Sequence, residues 1–239
     1  MGSRLGWDAL TSAALSVILP SPCVCCGAAL ESPHERYVCD SCWVRAVRLK
    51  PPLCRCGHPT SETTPLCAAC ITNTYPYDGG RSAFHYVSPL REVIHAFKYG
   101  GRPALARQLA DRVLAHVGPE SGSTLVPVPS HASRIRERGF NPADELSRAI
   151  AASTGLTIHR ALRKKRKTRA QAELGARARA TNLQGAFEVE RRYRGAVQGG
   201  NFTLVDDVYT TGATIRECAS VLKDAGASSV HFLTVARNI

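Results

Sequence analysis

Apolar residues along this chain follow two alternating rhythms, short continuous runs and longer stretches at helical period, and the alternation predicts a layered fold. The runs Arg81 to Val87, Thr124 to Val128, Thr157 to His159, Gly185 to Val189, Phe202 to Val205 and Val230 to Val235 read as strands. Between them, Leu90, Val93, Ile94 and Phe97 share one face of a helix, with Ser88 as its cap, Pro89 at its first position and Lys98-Tyr99-Gly100-Gly101 as its end. A second helix, Pro103 to Val117, carries Leu105, Leu109, Val113 and Leu114; Asn141-Pro142 opens a third that runs to about Ser153, and Ile215 to Leu222 belong to a fourth. Strands alternating with helices imply an α/β domain over residues 81–239, with a mostly parallel sheet covered on both faces.

The first third of the chain breaks this rhythm. Trp7, Leu10, Ala14, Val17 and Ile18 form one face of an amphipathic helix within residues 1–20, ended by Pro20. Its apolar run is too short to span a bilayer, and a secretory signal is the weaker reading because Arg4 is its lone positive start. Nine of the ten cysteines then fall between Cys23 and Cys70. They come as Cys23-x-x-Cys26, Cys39-x-x-Cys42, Cys54-x-Cys56 and Cys67-x-x-Cys70, a spacing that suits tetrahedral zinc–thiolate sites. The simplest pairing is Cys23, Cys26, Cys39 and Cys42 in one site and Cys54, Cys56, Cys67 and Cys70 in the other. An interleaved pairing and replacement of a third-knuckle thiol by His58 remain open, so one or two structural zinc ions are expected, with Cys25 spare. A disulfide-rich secreted module is the competing reading; without a good signal peptide, a cytoplasmic location is preferred. Residues 21–72 thus form a small zinc domain, and 73–80, with Pro76 and Gly79-Gly80, read as a linker.

The densest chemistry lies in residues 203 to 214, Thr-Leu-Val-Asp-Asp-Val-Tyr-Thr-Thr-Gly-Ala-Thr. An apolar strand ends in two carboxylates, which can accept hydrogen bonds from a ribose diol. Thr210, Thr211, Gly212, Ala213 and Thr214 then turn into a helix whose free N–H groups and positive dipole end favour a phosphate. Asp-Asp after a strand also serves as a metal site in hydrolases and receiver domains, and Thr-Gly-x-Thr also serves as a plain helix cap. With strand, acids, loop and helix in register, the sugar-phosphate reading is preferred. This stretch resembles the phosphoribosyl-pyrophosphate (PRPP) signature of the type I phosphoribosyltransferases.

Two basic segments complete the picture. Val126-Pro127-Val128-Pro129-Ser130 ends a strand and leads into Arg134, Arg136, Arg138, Gly139, Phe140 and Asn141, which suit an anion or a solvated turn equally. Arg160 to Arg169 holds seven basic residues in ten, and reads as a mobile lid able to close over a pyrophosphate. Formal net charge is +12, which admits a nucleic-acid partner, while aromatic content of 6% is thin for base-stacking platforms. Cys218, inside the helix after the loop, reads as a packed core residue.

Taken together, the double zinc ribbon, the Lys98-Tyr-x-Gly-like segment, Val-Pro-Val-Pro before Arg-x-Arg-Gly-Phe-Asn, Thr168-x-x-Gln171, Arg177-x-x-x-x-Asn182, Gly185-Ala-Phe187 and the PRPP loop resemble the ComF family of competence-related proteins. The likeness spans residues 23 to 235; it departs at the short Cys54-x-Cys56 step and at Pro142, where glutamine is common. The resemblance implies a Rossmann-like type I phosphoribosyltransferase core behind a small N-terminal zinc-ribbon domain. It implies that Asp206 and Asp207 hold ribose, that Thr210 to Thr214 hold the 5′-phosphate and that the turn with Pro129 and Ser130 faces pyrophosphate, with Lys98 also on PRPP. The transfer reading uses Asp206, Asp207, Arg138 and Lys164 for catalysis, Mg²⁺ with PRPP, and an acceptor base or amine that the motifs leave unnamed. Family members are linked to uptake of single-stranded DNA, so single-stranded DNA or competence proteins are expected partners. A scaffold that binds single-stranded nucleic acid without turnover is the alternative function.

Overall fold

The computed structural model describes residues 22–30, 37–165 and 185–239. The expected helix over residues 1–20, and Arg166 to Arg169, Gln171, Arg177 and Asn182 of the basic segment, lie outside the described residues.

Four parallel strands form the main sheet in the order β1-β6-β5-β2: β1 is Gly79–His85, β2 Thr124–Pro127, β5 Asn201–Tyr209 and β6 Ser229–Arg237. A separate antiparallel pair, β3 (Leu162–Lys164) with β4 (Phe187–Val189), forms a flap beside it. The helices are α1 (Asp40–Arg45), α2 (Ala68–Thr72), α3 (Leu90–Tyr99), α4 (Leu105–Leu114), α5 (Ala132–Arg138), α6 (Pro142–Thr154), α7 (Arg194–Val197) and α8 (Ala213–Asp224).

Two apolar cores sit on the two sides of the sheet. One joins α3, α4 and α6 with Leu125, Val205, Leu233 and Val235; the other joins α8 and the flap with Val126, Leu204, Phe202 and Phe232. Adjacent residues Leu204 and Val205 go to opposite cores because side chains alternate across a strand. Each core also takes in one group of cysteines: Cys23, Cys39 and Cys42 in the first, Cys54, Cys56 and Cys70 in the second. On α3, Leu90, Val93, Ile94 and Phe97 are all buried as their spacing predicts, each contributing roughly 1.5–3 kcal/mol of transfer free energy. The helix begins one residue later than predicted, with Pro89 flanking it and no side-chain cap.

The expected linker gives up its last two residues to the sheet. Gly79 and Gly80 belong to β1, Tyr77 is buried, and the Asp78 N–H donates to the Val230 carbonyl at 2.8 Å. Packing explains the glycine pair, since a Cβ on Gly80 would overlap the Phe232 ring. The segment after α1 then lies antiparallel along the outer edge of β1: His85 donates to Val47 and Leu49 to Ala83, at 2.8 and 2.9 Å. The cysteine-rich segment thereby covers a sheet edge that would otherwise offer unpaired backbone groups.

Further segments differ from the sequence pattern, among them Thr157 to His159, expected as a strand but paired only through the isolated bridge of Ile158 with Leu125. β5 and β6 both run longer than their apolar cores, because Val208 and Tyr209 still pair with Ala236 and Arg237. The segment read as a basic turn forms α5. Leu162 to Lys164, expected in a mobile loop, is ordered as β3 because Leu162 is buried and Glu188 on β4 pairs with both Arg163 and Lys165.

Chain direction fixes where a ligand fits. From β2 the chain passes through α6 to Ile158, which bridges to Leu125 on the side away from β5. From β5 it passes through α8 to β6 on the opposite side. The connections diverge between β2 and β5, and a crevice opens at the carboxyl ends of that strand pair, the place where open α/β sheets bind ligands.

Candidate active site in the crevice between β2 and β5

A cavity of about 520 Å³ occupies that crevice. Of the residues singled out from the sequence, Lys98, Pro129, Ser130, Arg138, Lys164, Asp206, Asp207, Thr210 and Thr214 line it together. Thr211, Gly212 and Ala213 make the turn between the last two without lining the cavity.

Asp206 and Asp207 lie inside β5, ahead of Val208 and Tyr209, not at its end, so the backbone holds both firmly. Asp207 is buried and meets the Lys98 ammonium, brought in by the last turn of α3, at 2.7 Å. Burial alone would weaken the charge on Lys98, but the Asp207 carboxylate outweighs it and lifts the ammonium above the ordinary lysine value. Asp206 accepts the Asp207 N–H at 2.9 Å. Burial, reinforced by the neighbouring Asp207 charge, raises its carboxyl from 3.8 to about 7, although it keeps partial solvent access at the cavity floor. Cys218 is packed in the core, where burial raises its thiol, so it offers no thiolate.

The phosphate-sized turn has its expected local form. Gly212 takes a φ of +71° as the residue before α8, a conformation that glycine adopts freely. Thr211 Oγ1 accepts the Ala213 N–H at 3.4 Å, and Arg216 Nη1 donates to the Thr211 carbonyl at 2.7 Å. On the opposite wall, Asn141 pins the turn after β2: its amide donates to the Val128 carbonyl at 3.1 Å and its Oδ1 accepts the Ser130 hydroxyl at 3.0 Å. Asn141 thus serves the wall of the cavity as well as flanking α6, where it makes no side-chain cap.

α5 sorts the arginines by helical phase. Ser133, Arg134, Glu137 and Arg138 face the cavity, while Arg136 is exposed outside it. Arg138 lies over the Tyr99 ring at 4.6 Å and donates to its hydroxyl at 2.8 Å. Lys164 reaches in from the flap with its ammonium 5.2 Å from the Phe187 ring; burial and then Arg134 lower its pKa. No carboxylate pairs directly with it among the described residues. Tyr99, His131, Ser133 and Glu137 were not selected from the sequence as site residues, and Arg134 was named only with Arg136 and Arg138 as arginines that suit an anion or a solvated turn. Once Ala132 to Arg138 is read as a helix, the i, i+4 spacing of Arg134 and Arg138 is the signal that would have separated that pair from Arg136.

The cysteines resolve into two separate tetrads. Cys23, Cys26, Cys39 and Cys42 bring their sulfurs within 4.8 Å of one another, and so do Cys54, Cys56, Cys67 and Cys70. All ten cysteines are free thiols. Sulfur pairs stand 3.9 Å apart for Cys23–Cys42 and 3.7 Å for both Cys26–Cys39 and Cys56–Cys67. Four sulfurs around zinc at about 2.3 Å would be about 3.8 Å apart, so both donor sets fit a structural ion. The pairing is the sequential one, and the short Cys54-x-Cys56 step closes its tetrad. Cys25 is indeed spare, its sulfur 3.6 Å from the Pro89 carbonyl, and His58 stays outside the second tetrad.

Residues 14–71 match the double zinc ribbon domain and residues 135–239 the phosphoribosyl transferase domain. The chain is 32% identical over 230 residues to the DNA utilization protein YhgH of Salmonella typhimurium, covering 92% of this chain and 99% of that one.

This chain belongs to the ComF family.

Competence protein ComFC of Bacillus subtilis is 27% identical over 220 residues, covering 87% of each chain. Among solved structures, the allosteric regulatory enzyme of purine biosynthesis is 23% identical over 57% of this chain and 25% of that one, with a TM-score of 0.35. This ComF-family chain carries the type I phosphoribosyltransferase fold with an N-terminal zinc-ribbon-like cysteine cluster. No helix among its described residues is long and apolar enough to cross a membrane.

Proposed function

We propose that the crevice binds PRPP and transfers its 5-phosphoribosyl group to an acceptor base or amine, releasing pyrophosphate. The observation that carries this reading is the convergence of a carboxylate pair, a glycine turn at a helix start and Lys98, Arg134, Arg138 and Lys164 on one cavity. In this reading the turn from Thr210 to Thr214 takes the 5′-phosphate through free N–H groups and hydroxyls. Asp206 and Asp207 take the ribose hydroxyls and face the positive charge that grows on the ring as its bond to pyrophosphate breaks. Lys98 holds Asp207 in place through its 2.7 Å ion pair, which spares reorganisation during the step. Arg134, Arg138 and Lys164 meet the charge gathering on the leaving group, and none of these roles requires a covalent nucleophile. The Asp206 carboxylate and Thr210 hydroxyl are hard oxygen donors that suit Mg²⁺ carried in with the substrate, and the bound ion would neutralise the departing pyrophosphate. Zinc in each tetrad would hold together a segment too poor in apolar residues to fold alone; elemental analysis should find about two ions per chain.

The test is incubation with PRPP, Mg²⁺ and a panel of nucleobases and amines, following pyrophosphate and ribosylated product. Product with one acceptor class supports transfer, and failure of the protein to bind PRPP in a calorimetric titration overturns the reading.

A second reading, binding of single-stranded nucleic acid without turnover, is supported by the net charge of +12 and by relatives named for DNA utilization and competence. The two separate on Asp206→Asn with Asp207→Asn. A DNA site should keep or gain affinity once two carboxylates that repel phosphates are gone, whereas a transferase loses its chemistry.

A further inference from the structure

The phosphate turn is tied from beneath to the second cysteine tetrad by a continuous set of buried contacts. Tyr209, the last residue of β5, lies under the turn, and any Cβ on Gly212 would overlap its phenol ring. The Tyr209 hydroxyl is 3.1 Å from that of Tyr77, and its ring stacks on Phe232 at 5.0 Å. The buried Arg237, at the end of β6, covers the Tyr209 ring at 4.6 Å and donates from Nη1 to the carbonyl of Cys56 at 2.6 Å. A second line runs in parallel. Arg216 Nη1 holds the Thr211 carbonyl while its guanidinium lies 5.4 Å from the Tyr75 ring, which stacks on Tyr77 at 5.2 Å.

We infer that Arg237 and Tyr209 are positioning residues for the phosphate turn, and that the second tetrad, through the Cys56 carbonyl, is the anchor that holds them. Constraint is the physical reason. A left-handed glycine beside flexible threonines does not hold its N–H groups in a cup unaided. A rigid ring underneath, clamped by a charge-assisted hydrogen bond to a cross-linked loop, removes the freedom that ligand binding would otherwise have to remove. Among the described residues the first tetrad shows no such line. Its nearest cation, Arg45, donates from Nη2 to Cys42 Sγ at 3.1 Å and belongs to the zinc segment itself, while Arg112 from α4 lies over Trp43 at 5.1 Å and pairs with Asp40 at 3.2 Å. The two ribbon sites therefore play different roles, in that the first fastens the edge of the sheet and the second tunes the ligand turn.

The inference rests on the phosphate reading for its purpose, but its geometry is testable without a ligand. Amide hydrogen exchange should be measured on the zinc-loaded full chain for Arg237→Met, Arg237→Lys and Arg112→Met. In Arg237→Met, the hydrogen-bonded amides that close the turn, Ala213 to Thr211 Oγ1 and Arg216 to the Gly212 carbonyl, should exchange about tenfold faster while those of α3 stay at the wild-type rate. Arg237→Lys should restore much of the protection, since an ammonium can still reach the carbonyl and the ring, and Arg112→Met should leave the turn unchanged. Calorimetry with ribose 5-phosphate should show about tenfold weaker binding for Arg237→Met. Unchanged exchange at the turn, or equal acceleration at the turn and at α3, overturns the inference. Wild-type protein that fails to bind PRPP overturns the phosphoribosyl reading and leaves the exchange result to judge the anchor alone.

Discussion

The two layers flanking the sheet are built from the same parts, each with helices, a cysteine tetrad and a lysine aimed into the crevice, yet they use those parts differently. From the layer of α3 and α4, Lys98 arrives as half of a tight ion pair with Asp207 and is stabilised in its charged form. From the flap on the other side, Lys164 arrives half-buried beside Phe187 with its charge disfavoured. One lysine fixes a carboxylate; the other is left wanting an anion. Burial costs a cation in both layers, and the difference in function comes from whether the protein itself supplies the counter-charge.

The largest expected effect tests the layer that holds the glycine turn. Gly212→Val would force a branched side chain into the Tyr209 ring at a positive φ, and PRPP affinity should fall by about 10³ or beyond calorimetric detection. Retained binding would mean that the turn is not the phosphate site. Next in size, Asp206→Asn with Asp207→Asn should lower turnover by about 10² while zinc content is preserved; a variant of wild-type rate would remove the carboxylates from the chemistry.

The lysine contrast is then broken directly. Lys98→Met strands the Asp207 carboxylate and should cost about 2–3 kcal/mol in denaturant unfolding, largely recovered when Asp207→Asn is added. Lys164→Met should leave stability near wild type and weaken PRPP binding about tenfold, whereas Lys165→Ala, which loses only the surface pair with Glu188, should do little to either. Matching stability losses for the two methionine variants would erase the distinction drawn between the layers.

The smallest effect lies in pH dependence. Asp206 is raised from 3.8 to about 7, mainly by burial. Below about pH 4 it is protonated in both states; between about pH 4 and 7 only the folded chain keeps the proton, so stability falls as pH rises and the loss is complete above the folded value. Asp206→Asn should flatten that slope and be more stable than wild type at pH 8 by on the order of 1–2 kcal/mol. A variant less stable at pH 8 would contradict a costly buried charge at this position.

Much of the architecture and most of the site were legible along the chain, because they depend on neighbours in sequence. Helical spacing marked Leu90, Val93, Ile94 and Phe97 as one buried face; the knuckle spacings marked the eight thiols, with the sequential pairing as the simplest; and the run from Thr203 to Thr214 joined strand, acids and turn within a few residues. Local rules set such features, and the tertiary structure had little room to alter them. The misplaced segments were those whose state depends on distant partners. Arg163 and Lys165 read as mobile charge until Glu188 neutralised them across the flap, and Gly79-Gly80 read as linker until Phe232 showed that a strand needed the space.

The sequence by itself determined the chemical inventory: thiols in four knuckles, a carboxylate pair, a glycine turn and an excess of cations, each recognisable because its spacing has a physical meaning. Only the tertiary structure decided which cations line the cavity, that Asp207 belongs to Lys98, that Arg134 joins Arg138 while Arg136 faces away, and that Arg237 joins the Cys56 carbonyl to the Tyr209 ring. Pairings of that kind span up to 181 residues of chain. They arise from the order of strands in the sheet and the register of α5, which spacing along the sequence does not encode.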